Sequence, residues 1–188
     1  MSGSAETVIA RVGAEVVECL RRVEGAAVEA ALDRLEAAPR VFLAGAGRSG
    51  FMVRAFAMRL MHAGKTVYVV GEPTTPAIAR GELLVIGSGS GRTESLLAMA
   101  RKAKELGAAL VLLTIDPGSP IGALADVVVV IPAPSPKVAS ARPVSTIQPM
   151  GTLFEQTLLL VLDGMVLLLM ERLRLGSQAM FARHANLE

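Results

Sequence analysis

Five short runs of apolar residues, rich in β-branched side chains, recur along the middle of the chain: Val41 to Ala44, Thr66 to Val70, Leu83 to Ile86, Ala109 to Thr114 and Val127 to Ile131. Helix-like stretches at 49–63, 93–106 and 119–125 lie between them. A strand with no polar alternation is buried on both faces, which is the condition of a parallel sheet covered by helices. Strands alternating with helices therefore define an α/β fold with right-handed crossovers. One connection departs from the pattern: Pro73-Thr74-Thr75-Pro76 fills the gap between Val70 and Leu83, so that crossover reads as mostly loop. At 188 residues and 52% hydrophobic, a single domain over 1–188 can bury a full core. Aromatics make up only 3% and Trp is absent, so that core must be built from Leu, Val, Ala, Ile and Met. The expectation is a five-stranded parallel sheet flanked by helices, a flavodoxin-like three-layer sandwich, with helical extensions at both ends.

The extensions carry their own signals. From Ser4 to Ala37, apolar residues fall at helical spacing (Val8, Ile9, Val12, Val16, Val17, Leu20, Val23), which predicts one or two amphipathic helices ended by Pro39. Gly151 to Leu175 reads as helical, and its apolar run Thr157 to Met170 is short for a bilayer and broken by Asp163-Gly164. That run predicts a buried helix, apolar on so many faces that a partner subunit is an expected cover. Pro132 to Pro149 holds five prolines and predicts a long irregular loop, a candidate cover for an active site. Ser177 to Glu188 is a short polar tail with a helical turn.

Charge and cysteine content exclude several classes. The 19 basic residues are interspersed with 17 acidic ones, and no long basic block marks a nucleic-acid surface. The single Cys19 can form neither a disulfide nor a cysteine metal site within the chain, and a reducing cytoplasm is the expected setting. No N-terminal apolar segment with basic flanks is present, so neither export nor a membrane is expected.

The chemistry gathers in two glycine turns at strand ends, where ligands of open α/β sheets bind. Leu83 to Gly87 runs into Ser88-Gly89-Ser90-Gly91-Arg92-Thr93 and then a helix start. Such a turn suits a phosphate: glycines let backbone N–H groups approach, the helix dipole adds positive potential, and Ser88, Ser90 and Thr93 add neutral donors. The plainer alternative is a strand-to-helix turn whose serines cap the helix. The earlier turn, Gly45-Ala46-Gly47-Arg48-Ser49-Gly50, matches G-x-G-x-x-G, with Glu72 near the place of a ribose-binding acid. Against a dinucleotide site stand the forty residues ahead of the first strand, the lack of room for a substrate domain, and the second phosphate-type loop on the third strand.

Several stretches together carry a resemblance: VFLAGAGRSG, FAMRLMHAG, VYVVGEPTTPAI, SGSGRTES, LADVVVVIPAP, QPMGTLFEQ and the terminal RHANLE. Over about residues 5 to 188 the chain resembles the 6-phospho-3-hexuloisomerase branch of the sugar isomerase (SIS) domain family. It departs from that branch at Arg92, where the usual loop S-G-S-G-E-T has Glu. The resemblance implies a single SIS-type domain that interconverts D-arabino-hex-3-ulose 6-phosphate and D-fructose 6-phosphate through a 2,3-enediolate, with no metal and no redox cofactor. It implies a homo-oligomer, dimer or tetramer, functionally paired with hexulose-phosphate synthase in the ribulose monophosphate pathway of formaldehyde fixation.

It also implies roles for residues. Ser88, Gly89, Ser90, Gly91 and Thr93 anchor the phosphate, and Gly47, Arg48 and Ser49 line the opposite wall. Arg48 has a second reading, as a helix-start residue in a salt bridge. Glu155 is the general base, its proton affinity raised by burial against Leu153, Phe154 and Leu158; the alternative is a first-turn Glu that only stabilises its helix. His184 protonates oxygen or assists ring opening, from its own or a neighbouring subunit, while His62 is structural or an interface residue. Two other readings stay open: an arabinose 5-phosphate or heptose phosphate isomerase, and a non-catalytic sugar-phosphate-sensing module.

Overall fold

The computed structural model describes residues 3–138 and 144–187. Two helices lead, α1 (Ala5–Arg21) and α2 (Gly25–Ala37), followed by β1 (Val41–Gly45), α3 (Gly47–His62), β2 (Val67–Val69), β3 (Leu83–Gly87), α4 (Glu94–Glu105), β4 (Ala109–Thr114), β5 (Val127–Val130), α5 (Thr152–Arg172) and α6 (Ser177–Phe181). The strands form one sheet in the order β2-β1-β3-β4-β5, and every pairing is parallel. This is the expected three-layer α/β sandwich.

Strand alternation decides what each face buries. Val41 and Leu43 of β1, Leu83 and Val85 of β3, and Val111 and Leu113 of β4 face a large core shared with α1, α2, α3 and α5. Phe42 and Ala44, Leu84 and Ile86, and Leu110 and Leu112 face a smaller core closed by Leu96, Ala100 and Ala103 of α4 and by Ile121. Tyr68 of β2 and Val70 and Ile78 of the helix-free connection after it pack against this second core.

Two expectations are corrected. The stretch 119–125 forms only a 3-10 turn at Gly122–Leu124, because Ser119 Oγ accepts the Gly122 amide and holds the chain in a tight bend. Helix α5 falls within the expected 151–175, but whereas its apolar run 157–170 reads as short for a bilayer, Thr152–Arg172 as a whole is long and apolar enough to cross one by length and composition alone. Half of its most apolar window is buried against the rest of the fold. Arg172 ties its end to Glu29, Asp33 and Glu36, on α2.

The first glycine turn is built for contact between strand and helix. A Cβ on Gly50 would lie 2.7 Å from the Gly45 carbonyl oxygen, and one on Gly45 would lie 2.9 Å from the Gly50 Cα. Both separations are far inside van der Waals contact. The glycines at the two ends of G-x-G-x-x-G thus let α3 leave directly off the end of β1.

Candidate active site

A cavity of about 560 Å³ opens at the carboxyl ends of β1 and β3, whose last residues, Gly45 and Gly87, are level in the sheet register. Three helices begin at its wall. Gly47, Arg48 and Ser49 open α3, Thr93 precedes α4, and Thr152 and Glu155 lie in the first turn of α5. None of the three helices has a side-chain hydrogen bond at its N-cap, which is Ala46, Thr93 and Gly151 respectively. The first-turn amides of a helix have no carbonyl of their own helix to reach, so three positive dipole ends converge on this cavity. An anion is the ligand such a wall favours.

The serine turn is held by its own backbone. Gly91 N–H donates to both the carbonyl oxygen and Oγ of Ser88, at 3.2 Å each. Ser88 N–H donates to Leu113 O at 3.0 Å, and the Gly89 carbonyl accepts from Ile115 N–H and Thr114 Oγ1, both at 3.1 Å. The capping alternative fails, since neither serine caps α4 and the Thr93 hydroxyl makes no capping bond. Ser88, Gly89, Ser90 and Thr93 line the cavity, whereas Gly91 shapes the turn from behind at φ +58°. Arg92 points elsewhere, its Nη2 donating to Asp116 Oδ2 at 2.8 Å.

Across the cavity, Arg48 Nη1 lies 3.2 Å from Glu155 Oε2 and donates to Thr152 Oγ1 at 3.3 Å. Thr152 Oγ1 donates to the Pro149 carbonyl at 2.7 Å. Arg48 therefore lines the wall and is also in a salt bridge, whose partner is the candidate base. Glu155 stands between buried neighbours Leu153, Phe154 and Leu158, but its carboxylate turns to the guanidinium and the cavity.

His184 is not in this cavity. It stacks on His62 with ring centroids 5.4 Å apart and lines a separate cavity with Arg59, Asp163, Met170 and Phe181, between α3, α5 and α6. A single chain does not bring His184 to Glu155. His62 is buried there as expected of a structural residue, and burial, with help from Arg59 and His184, pushes its pKa below the ordinary 6.5.

Sequence reasoning missed Ser135, Lys137, Met150 and Thr152, which also line the main cavity. The proline-rich segment reads as a candidate cover, but no local pattern singles out its side chains; its residues 139–143 lie outside the described residues. Met150 has φ +58°, a conformation costly for a side chain with a Cβ, and it forms the turn from which α5 starts. Among the described residues, no three His, Cys, Asp or Glu side chains cluster as a metal site would require.

A doubly wound parallel sheet whose helix N-termini and hydroxyl-rich loop converge at the carboxyl edge defines a phosphate-ester-binding α/β domain. The chain belongs to the SIS domain family, whose sequence model matches residues 34–160. It is 53% identical over 156 residues to the 3-hexulose-6-phosphate isomerase of Bacillus subtilis, covering 83% of this chain and 84% of that protein. It is 42% identical over 174 residues to the 3-hexulose-6-phosphate isomerase of Mycobacterium gastri, covering 93% and 86%. A hypothetical protein of Methanococcus jannaschii, whose crystal structure was described as inferring 3-hexulose-6-phosphate isomerase function, superposes with TM-score 0.83 at 34% identity, covering 96% and 98%.

Proposed function

We propose that this chain is an isomerase that interconverts D-arabino-hex-3-ulose 6-phosphate and D-fructose 6-phosphate. The observation that carries the reading is the convergence of three uncapped helix N-termini and the Ser88–Thr93 turn opposite a carboxylate, Glu155, in one cavity. The names of the relatives from Bacillus subtilis and Mycobacterium gastri supply the substrate.

The phosphate sits on Ser88, Gly89, Ser90 and Thr93, with Gly91 shaping the turn, and the sugar extends toward Gly47, Arg48 and Ser49. Glu155 takes the C2 proton of the 3-ketose, the electrons pass into the 2,3-enediolate as O3 takes up a proton, O2 gives up its hydroxyl proton to become the new carbonyl, and the same carboxylate returns a proton to C3. Arg48, beside Glu155, orients the carboxylate and stabilises charge developing on the enediolate oxygens. The reaction is an internal proton transfer that balances without an added oxidant or reductant.

His184 serves this site as an acid only if a neighbouring copy delivers it. Phe51 and Met58 on α3 and Leu160 and Leu167 on α5 are exposed apolar side chains, which supports a homo-oligomer, dimer or tetramer. We read 1–188 as one cytoplasmic domain with a buried thiol at Cys19, acting after hexulose-phosphate synthase in the ribulose monophosphate pathway.

The test is incubation of the purified protein with fructose 6-phosphate in deuterated buffer without added metal, followed by NMR. The 3-keto isomer and deuterium at C3 are expected. Deuterium at C1 with an aldose product would assign a different isomerase, and a bound but unchanged sugar would assign a sensor.

A further inference from the structure

The N-terminal helix α1 lies outside residues 34–160, yet one of its carboxylates reaches the segment that precedes Glu155. Glu15 is buried, and its two oxygens accept three hydrogen bonds from residues 131 to 133 positions away. Thr146 Oγ1 donates to Oε2 at 2.6 Å, the Ile147 backbone N–H donates to Oε1 at 3.0 Å, and Gln148 Nε2 donates to Oε2 at 3.2 Å. The Gln148 N–H closes the knot by donating to Thr146 Oγ1 at 3.0 Å. Arg11, one turn earlier on α1, lies 3.5 Å from Oε1. Burial alone would raise the Glu15 pKa, but these donors and Arg11 outweigh it and hold the carboxyl below its ordinary value.

The residues fixed this way lead directly into the site. Pro149 follows, its carbonyl accepting from Thr152 Oγ1; Met150 follows in its left-handed conformation; Gly151 then starts α5. Thr152 Oγ1 in turn accepts from Arg48, which lies against Glu155. A left-handed Met costs about 1–3 kcal/mol and persists only where its surroundings over-determine it. A buried carboxylate satisfied by three donors on the adjoining residues is such a surrounding, since charge-assisted hydrogen bonds are stronger than neutral ones.

We propose that Glu15 is a positioning residue that clamps Thr146–Gln148 and thereby sets the Pro149–Thr152 turn and the orientation of the Arg48–Glu155 pair. The clamp gives the N-terminal extension a part in the active site. It rests on the isomerase reading only for the identity of the reaction it supports.

The test compares Glu15→Gln, Glu15→Ala and Thr146→Val with the wild-type chain. Glu15→Gln keeps an oxygen for the Ile147 amide but turns an NH2 group toward Thr146 and Gln148. With fructose 6-phosphate, kcat is expected to fall about 10-fold for Glu15→Gln and about 100-fold for Glu15→Ala, the scale of a misplacement near 1 Å. Inhibition by inorganic phosphate should change less than about 2-fold, because the Ser88–Thr93 turn on the other wall is untouched. A purely structural role predicts the reverse: a lower melting temperature with kcat per folded molecule unchanged, and that result overturns the proposal. Backbone hydrogen exchange separates this failure from a failure of the isomerase reading. Faster exchange confined to Ile147–Thr152 in Glu15→Gln supports the clamp even if the wild-type chain turns over no fructose 6-phosphate. Unchanged exchange in that segment refutes it.

Discussion

Replacing Gly91 by Ala tests whether the serine turn is held as tightly as its geometry states. A Cβ built on Gly91 lies 2.0 Å from Ser119 Oγ and 2.6 Å from Ser119 Cβ, and Ser119 is fully buried. The backbone there has φ +58°, which costs a residue with a Cβ about 1 kcal/mol relative to Gly. Forcing a methyl group into a packed interior costs about 1–3 kcal/mol more. The expected destabilisation of Gly91→Ala is thus about 2–4 kcal/mol. Ser119→Gly removes both clashing atoms at the cost of the hydrogen bond from the Gly122 amide, about 1 kcal/mol. In the double variant the clash is absent, so the two changes together should destabilise less than their sum by about 1–3 kcal/mol. Urea unfolding of all four proteins at one concentration reads this coupling, provided the slopes agree. Binding of inorganic phosphate should weaken in Gly91→Ala and recover in the double variant, because Gly91 N–H is the group that folds Ser88 back. Strict additivity would refute the close approach of Gly91 to Ser119.

Three further outcomes are expected. Glu155→Gln should lower kcat by about 10²–10⁴ while fructose 6-phosphate still binds by calorimetry, the mark of a lost proton carrier. Arg48→Met should leave the melting temperature nearly unchanged, since its side chain is 55% exposed and such pairs contribute about 0–1 kcal/mol, yet lower kcat/KM about 10-fold or more; comparable losses of stability and activity would contradict this. His62 has its pKa lowered by burial, Arg59 and His184, so the folded state binds fewer protons than the unfolded one. Its contribution to stability is therefore full above 6.5 and lost as pH falls through the lowered folded value; His62→Gln should flatten the loss of urea stability below pH 6.5.

The sheet was legible in the sequence because its three central strands are buried on both faces, so each appears as an unbroken apolar run. The same property concealed which residues face which layer: nothing local separates Leu43, in the large core, from Phe42, in the small one. The stretch 119–125 misled because the Ser119 hydroxyl sits under the Gly122 amide, a contact the sequence does not display. At the site, the Ser88–Thr93 turn was readable since one contiguous segment supplies strand, donors and helix start. The Arg48–Glu155 pair and the Glu15 clamp were not, as each joins residues more than a hundred positions apart through the packing of α3 and α1 on α5. His184 illustrates the opposite limit: a recognisable terminal motif identified the residue, while its position against His62 depends on how α6 folds back on α3.

The way charge is distributed around the cavity bears on how a carboxylate base can work beside a bound dianion. A phosphate anchored by several guanidinium groups would be held firmly, but cations close to a carboxylate favour its ionised form and oppose proton uptake. A base that must carry a proton from C2 to C3 needs to accept it. On the proposed reading the anchor is made of hydroxyls and helix N-termini, whose partial charges act within one turn, with Lys137 also at the cavity wall. Arg92, the charged residue within that turn, is occupied by Asp116 and does not line the cavity. The guanidinium beside Glu155 is that of Arg48, whose side chain is more than half exposed. On the proposed mechanism, sugar oxygens that take up Arg48 would leave Glu155 to the carbon proton. Phosphate binding and proton transfer then draw on different groups, which is why replacing Glu155 should abolish turnover while leaving the sugar phosphate bound.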